Sequence, residues 1–175
     1  MGIPFDYRKY YSSITKRIFQ LIISKTPLRI SFAGGGTDLR SYYKYNKYGA
    51  VISASIDSYL YVSVKKQSRL FGGEYRLNYS ETEIVNSISE IRNPIIRECI
   101  KYMNIKERLY INTIADVPSH TGLGSSSSFT VGLLHALYKF CGKQIDLENL
   151  AKDATNIEIT RLKQSLGKQD HYAAV

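Results

Sequence analysis

Hydrophobic positions follow two rhythms along the chain. Over residues 25–33 they alternate. Leu28, Ile30 and Phe32 interleave with Arg29, Ser31 and Ala33, the period of a half-buried strand with its apolar face on a core. Gly34-Gly35-Gly36-Thr37-Asp38 stops that strand. Its glycines admit positive φ and let the backbone approach a neighbour closely. A polar, tyrosine-rich stretch at 41–48 predicts one or two helical turns. Residues 49–56 and 58–66 predict two further strands, the second with Leu60, Val62 and Val64 on one face, and 75–79 a fourth. The rhythm then becomes helical. Asn93 is placed to cap a helix with Pro94 at its first position. Ile96, Cys99, Ile100 and Met103 follow at helical spacing. Residues 109–116 return to strand. A Gly/Ser loop at 118–128 runs into a helix carrying Leu133, Leu134, Leu137, Tyr138 and Cys141 on one side, ended by Gly142. Asp146 caps a last helix that reaches about Leu162. Strands come early and helices late, which predicts an α+β fold rather than a doubly wound parallel sheet. Residues 1–24 stand apart as a tyrosine-rich, partly helical extension, and 25–175 form one domain.

A length of 175 residues is enough for one domain with a real core. The 43% hydrophobic and 22% charged content is that of an ordinary globular chain and adds nothing to the class. The net charge of +9 does change the picture. It fits nucleic acid, an anionic membrane or an anionic small substrate. Lys and Arg are scattered without a run of four, which turns the expectation from nucleic acid towards phosphorylated small molecules. Cys99 and Cys141 have no metal-like spacing, which favours a reducing cytoplasm over a disulfide framework. No stretch approaches the roughly 20 apolar residues of a membrane span. The apolar run at 19–23 is too short for a signal peptide and lacks a small-residue cleavage site.

Candidate chemistry sits in four places. The first is the loop Pro118-Ser119-His120-Thr121-Gly122-Leu123-Gly124-Ser125-Ser126-Ser127-Ser128. Glycines allow backbone N–H groups to turn inward around an anion, and the following helix N-terminus adds unpaired donors and partial positive charge. Serine hydroxyls can bind phosphate oxygens or a hard cation such as Mg²⁺. No GK[ST] closes the loop, so it is not a Walker A motif. A flexible, serine-capped loop is the alternative. The second place is Glu158, which extends the helical stripe Leu147, Ala151 and Ala154. A carboxylate turned inward must be paired, protonated or bound to metal. Arg161, three residues on, offers a local ion pair instead. The third is Gly167-Lys168-Gln169-Asp170-His171-Tyr172-Ala173-Ala174, where Asp170 is either a proton acceptor for a hydroxyl or a turn aspartate. The fourth is Arg29 with the glycine turn ending at Asp38. His120, His135 and His171 share no spacing that marks a zinc site.

Together these segments resemble the GHMP kinases, the family of galactokinase, homoserine kinase, mevalonate kinase and phosphomevalonate kinase. Pro118-x-x-x-Gly122-Leu123-Gly124-Ser125-Ser126-Ser127 is similar to the family's ATP-binding motif. Thr26-Pro27-Leu28-Arg29-Ile30-Ser31-Phe32-Ala33-Gly34-Gly35-Gly36-Thr37-Asp38-Leu39 resembles its first motif, in the form found in sugar 1-kinases acting on D-glycero-D-manno-heptose 7-phosphate. Gly167-x-Gln169-Asp170-x-Tyr172-Ala173-Ala174 resembles that branch's catalytic-aspartate segment. The resemblance implies the ribosomal protein S5 domain 2-like fold and in-line transfer of the γ-phosphoryl group of ATP, with Mg²⁺, to a sugar or sugar phosphate hydroxyl. Asp170 would act as base, with Arg29 near it and the transferring phosphate. Pro118, Thr121, Gly122, Leu123, Gly124, Ser125, Ser126 and Ser127 would wrap the phosphates, and Ser126 and Glu158 would hold Mg²⁺. Gly35, Gly36, Thr37 and Asp38 would contact the sugar. The family's third, glycine-rich motif has no match here, so the C-terminal half is expected to be supplied elsewhere or lost. Two alternatives remain open: a truncated, non-catalytic nucleotide- or sugar-binding module, and a basic RNA-binding domain.

Overall fold

The computed structural model describes residues 21–118 and 121–175. Five strands form one sheet: β1 (Leu21–Ala33), β2 (Ile52–Lys66), β3 (Tyr75–Asn78), β4 (Thr82–Val85) and β5 (Leu109–Ala115). Their order across the sheet is β1-β2-β5-β3-β4. Neighbours run antiparallel except β3 and β5, which run parallel. A parallel pair needs a long crossover. Here β4, a short 3₁₀ turn (Ile88–Glu90) and helix α2 (Pro94–Met103) supply it. The other helices are α1 (Arg40–Asn46), α3 (Ser125–Phe140), α4 (Leu147–Thr155) and the short α5 (Gln169–Ala173). The expected α+β class is what is found. The core lies between sheet and helices, where Val62, Val64, Leu77 and Ile111 meet Ile96, Ile100, Leu133, Leu134, Leu137 and Ile157.

Helix α3 is the element on which the glycine loop and its serines are mounted. It packs across β1 and β2 and touches α2 and α4. Its close seat on β1 depends on Gly132, where a Cβ would stand 2.6 Å from Thr26 Oγ1 and 3.2 Å from Ser24 Oγ. Ser24 Oγ donates to Gly132 O at 2.8 Å, and Ser128 Oγ donates to Pro27 O at 2.9 Å. Small polar side chains therefore line the helix–strand seam, and the Ser24 and Ser128 hydroxyls are satisfied there. Helix α2 starts as its sequence dictates: the Asn93 side chain accepts from Ile96 N–H, and Pro94 occupies the first turn.

Several expectations give way. Strand β1 begins at Leu21, so residues 21–24 belong to the domain rather than to an extension, and the rest of that extension, 1–20, lies outside the described residues. The two strands expected at 49–56 and 58–66 are one. Pro27 pairs with Tyr59 and Leu28 with Ile56, so Asp57 and Ser58 have no partner across the ladder, and β2 runs on through a bulge. Beyond that bulge the apolar side of β1 is not the covered side. Phe32 is 67% exposed and Ile30 39%. What covers β1 and β2 there is α5, which meets Ser31 and Ser55. Strand β4 is an addition to the expected set, because its hydrophobic order is inverted: Glu83 is buried and Ile84 exposed. The last long helix does not run unbroken to Leu162. Instead α4 ends at Thr155 and continues as a π-helical turn, Asn156–Arg161, and Leu147 at its start is exposed.

Candidate active site

The glycine loop and α3 meet as a cradle. Gly122 and Gly124 have φ of 75° and 76°, which side chains rarely adopt, and Gly124 is the residue before the helix. The first turn of α3 then offers amide donors that a helix leaves without partners, as anion sites require. β1 holds the loop in place: Arg29 N–H donates to Leu123 O at 3.1 Å. The Arg29 guanidinium passes under Gly124, where a Cβ would come within 3.3 Å of Cζ. Its Nη1 donates to Gly122 O at 2.7 Å. Ser119 and His120 of this loop lie outside the described residues. Pro118 and Thr121 are exposed at its rim, and Ser125 begins the helix.

Asp170 stands on the other side of Arg29. Arg29 Nε and Nη2 both reach Asp170 Oδ1, at 2.8 and 2.7 Å. Oδ2 accepts no hydrogen bond from the described residues. One carboxylate oxygen is thus locked to the cation that touches the loop, and the other is free among the described residues. Ser31 Oγ donates to Gln169 Oε1 at 2.8 Å and helps seat α5.

Glu158 is fully buried, and three donors converge on it. Ser126 Oγ donates to Oε1 at 2.7 Å. Ser127 Oγ donates to Oε2 at 2.9 Å, and His171 Nε2 lies 2.5 Å from the same oxygen. Burial pushes the carboxyl's pKa up, but these hydrogen bonds and the imidazole outweigh it and hold the pKa below the usual carboxylate value. The local ion pair with Arg161 does not form. Arg161 reaches Glu98 instead, at 3.1 Å, because the π turn carries it away. The partner of Glu158 that the sequence did not reveal is His171.

Asp38 is brought to the site, but as a brace. Its Oδ1 accepts from Gly36 N–H at 3.1 Å and its Oδ2 from Gln169 N–H at 2.9 Å. A Cβ on Gly167 would stand 1.8 Å from Oδ2, so the turn before Asp170 closes directly onto this carboxylate. Thr37 is likewise engaged. Its Oγ1 lies 2.7 Å from Gly34 O and accepts from Ala50 N–H at 3.0 Å. Gly35 is exposed and Gly36 has open space where a side chain would be.

Beside the loop lies a cavity of about 460 Å³, lined by Leu60, Ile95, Thr113, Pro118, Ser126 and Phe129 among others. The Thr113 hydroxyl is buried without a hydrogen-bond partner among the described residues. Among the described residues no group of three or more His, Cys, Asp or Glu side chains gathers as a metal cage, and no helix is long and apolar enough to cross a membrane.

An acid and an arginine joined against a glycine loop, with a second carboxylate behind the loop's serines, occur here on a domain whose type is known. The sequence profile described as GHMP kinases N terminal domain matches residues 75–175, and the chain belongs to that family. A D-glycero-alpha-D-manno-heptose 7-phosphate kinase of Campylobacter jejuni is 32% identical over 163 residues, 87% of this chain and 48% of the relative. A crystal structure of a D-glycero-D-manno-heptose 1-phosphate kinase from Bacteriodes thetaiotaomicron superposes with a TM-score of 0.76 at 27% identity, over 88% of this chain and 53% of that one. A Lactococcus lactis galactokinase complexed with galactose shares the fold at a TM-score of 0.68 and 15% identity, over 94% of this chain and 44% of that one. The chain spans about half the length of these relatives.

Proposed function

We propose that the chain is the nucleotide-binding, base-bearing half of a kinase that transfers the γ-phosphoryl group of ATP to a hydroxyl of a sugar or sugar phosphate. The substrate we favour is D-glycero-D-manno-heptose 7-phosphate at its anomeric hydroxyl, the substrate class named for the Campylobacter jejuni relative. The observation that carries this reading is the Arg29–Asp170 pair seated against the glycine loop. It puts a free carboxylate oxygen one guanidinium away from an anion cradle.

The chemistry follows from that placement. The acceptor hydroxyl gives its proton to Asp170 Oδ2 as its oxygen bonds to the γ-phosphorus. The bond from that phosphorus to the β–γ bridging oxygen breaks, and ADP leaves. Arg29 offsets charge on the transferring group and keeps Asp170 Oδ1 from turning. Such transfers depend mainly on positioning and on charge neutralisation. The cavity beside the loop falls in the usual range for small-molecule pockets (roughly 300–1,000 Å³) and offers the Thr113 hydroxyl to a nucleoside. Ser126 and Glu158 are hard oxygen donors and fit Mg²⁺, which commonly takes one or two carboxylates plus phosphate oxygens. When bound, Mg²⁺ would neutralise charge on the phosphates. This reading puts the protein in the cytoplasm, where ATP and reduced thiols such as Cys99 and Cys141 coexist.

The test is ADP release with Mg²⁺ and a panel of sugars and sugar phosphates, comparing the chain with Asp170→Asn. We expect turnover with the heptose phosphate and a loss of about 10²–10⁴-fold in the variant. Equal rates in both would remove Asp170 as base. The half-length match favours a second reading, a non-catalytic binding module. Binding of ATP with no turnover on any sugar would select it.

A further inference from the structure

We infer that His171 is a positioning residue that fixes the orientation of the Glu158 carboxylate at the magnesium side of the site. The inference rests on the kinase reading above, within which no role falls to His171.

The two oxygens of Glu158 are treated differently. Oε2 is taken by Ser127 Oγ and His171 Nε2, all three residues being buried. Among the described residues Oε1 is taken only by Ser126 Oγ, and Ser126 is exposed and lines the cavity beside the loop. One oxygen is therefore pinned by two buried donors, while the other, also buried, lies directly behind the hydroxyl of the exposed Ser126 at the cavity wall. A glutamate side chain has three torsions, and the pin removes the freedom to exchange its oxygens.

The imidazole is suited to that task and poorly suited to being mere filler. With the hydrogen on Nε2 it donates to Glu158, and Nδ1 is then a buried acceptor with no partner among the described residues. An unmet buried acceptor costs stability that an apolar side chain would not cost. His171 also follows Asp170 directly on α5, which presents the acid to Arg29 and the imidazole to Glu158. The base side and the metal side of the site are thus tied to each other through adjacent residues.

The experiment uses the whole chain and calorimetric titration with ADP, with and without Mg²⁺, on wild type, Ser126→Ala, His171→Leu and His171→Gln. Melting temperatures report folding. Leucine fills the space without a donor, and glutamine carries an amide N–H to about the reach of Nε2. In wild type Mg²⁺ should tighten ADP binding. His171→Leu should lose about 10–100-fold of metal affinity, the usual effect of removing a partner behind a ligand. His171→Gln should restore most of it. The inference is overturned if folded His171→Leu keeps the wild-type Mg²⁺ effect, or if folded His171→Gln loses as much as leucine. It is also overturned if neither variant folds, since His171 is then a structural pin only. Failure of the kinase reading looks different: wild type itself would show no Mg²⁺ effect, and Ser126→Ala would match it.

Discussion

Asp38 and Glu83 do similar work in different parts of the domain: each collects backbone N–H groups that would otherwise have no acceptor. Asp38 joins the first glycine turn to the turn before Asp170. Asp38→Asn puts an amide hydrogen against a backbone N–H and should cost about 1–3 kcal/mol, read by urea unfolding. An unchanged midpoint would leave the carboxylate free for the sugar contact expected from the sequence. Glu83 accepts from Arg92 N–H, Asn93 N–H and the Tyr79 hydroxyl. Burial pushes its pKa up, yet these bonds prevail and hold it below its ordinary value of 4.5. A carboxyl lowered by folding stabilises fully above that value, and the contribution fades as pH falls through the folded pKa. Glu83→Gln should therefore lose about 1–3 kcal/mol near neutral pH. The gap to wild type should narrow as pH falls below that ordinary value and through the lowered folded pKa. A gap that stays constant from neutral to acid would refute the linkage.

At the scale of elements, legibility depends on where the deciding partner lies. The start of α2 is readable because cap and proline are local to it. Glu158 is readable as an inward carboxylate because it extends the Ala151 and Ala154 stripe, and both of those are buried. Its partner is not, since His171 returns across a turn and no spacing marks it. The π turn has no side-chain signature either. It is seen only in bonds such as Leu162 N–H to Ile157 O. The β2 bulge is set by pairing with β1, and β4 is masked because Glu83 points in to serve the start of α2. Gly132 is the sharpest case. Within a helix, glycine to alanine ordinarily gains stability. Here the new Cβ meets Thr26, and Gly132→Ala should instead lose about 1–3 kcal/mol. A raised melting temperature would show that the α3–β1 seam has slack.

Across the whole molecule, the groups of the site come from four distant places: β1, the α3 loop, the π turn and α5. Arg29 and Asp170 are separated by 141 residues of chain. A ribosome adds roughly 5–20 residues each second. For about ten seconds after Arg29 is made, its acid therefore does not yet exist. Strand β1 can pair with β2 well before that, and α3 can pack on both. Contacts closed over long loops are entropically the late ones. The nascent domain thus carries the glycine loop and Arg29 before it carries Asp170, the carboxylate that Arg29 holds. The acid that pairs with Arg29 then reaches a scaffold whose strands and glycine loop were made long before it.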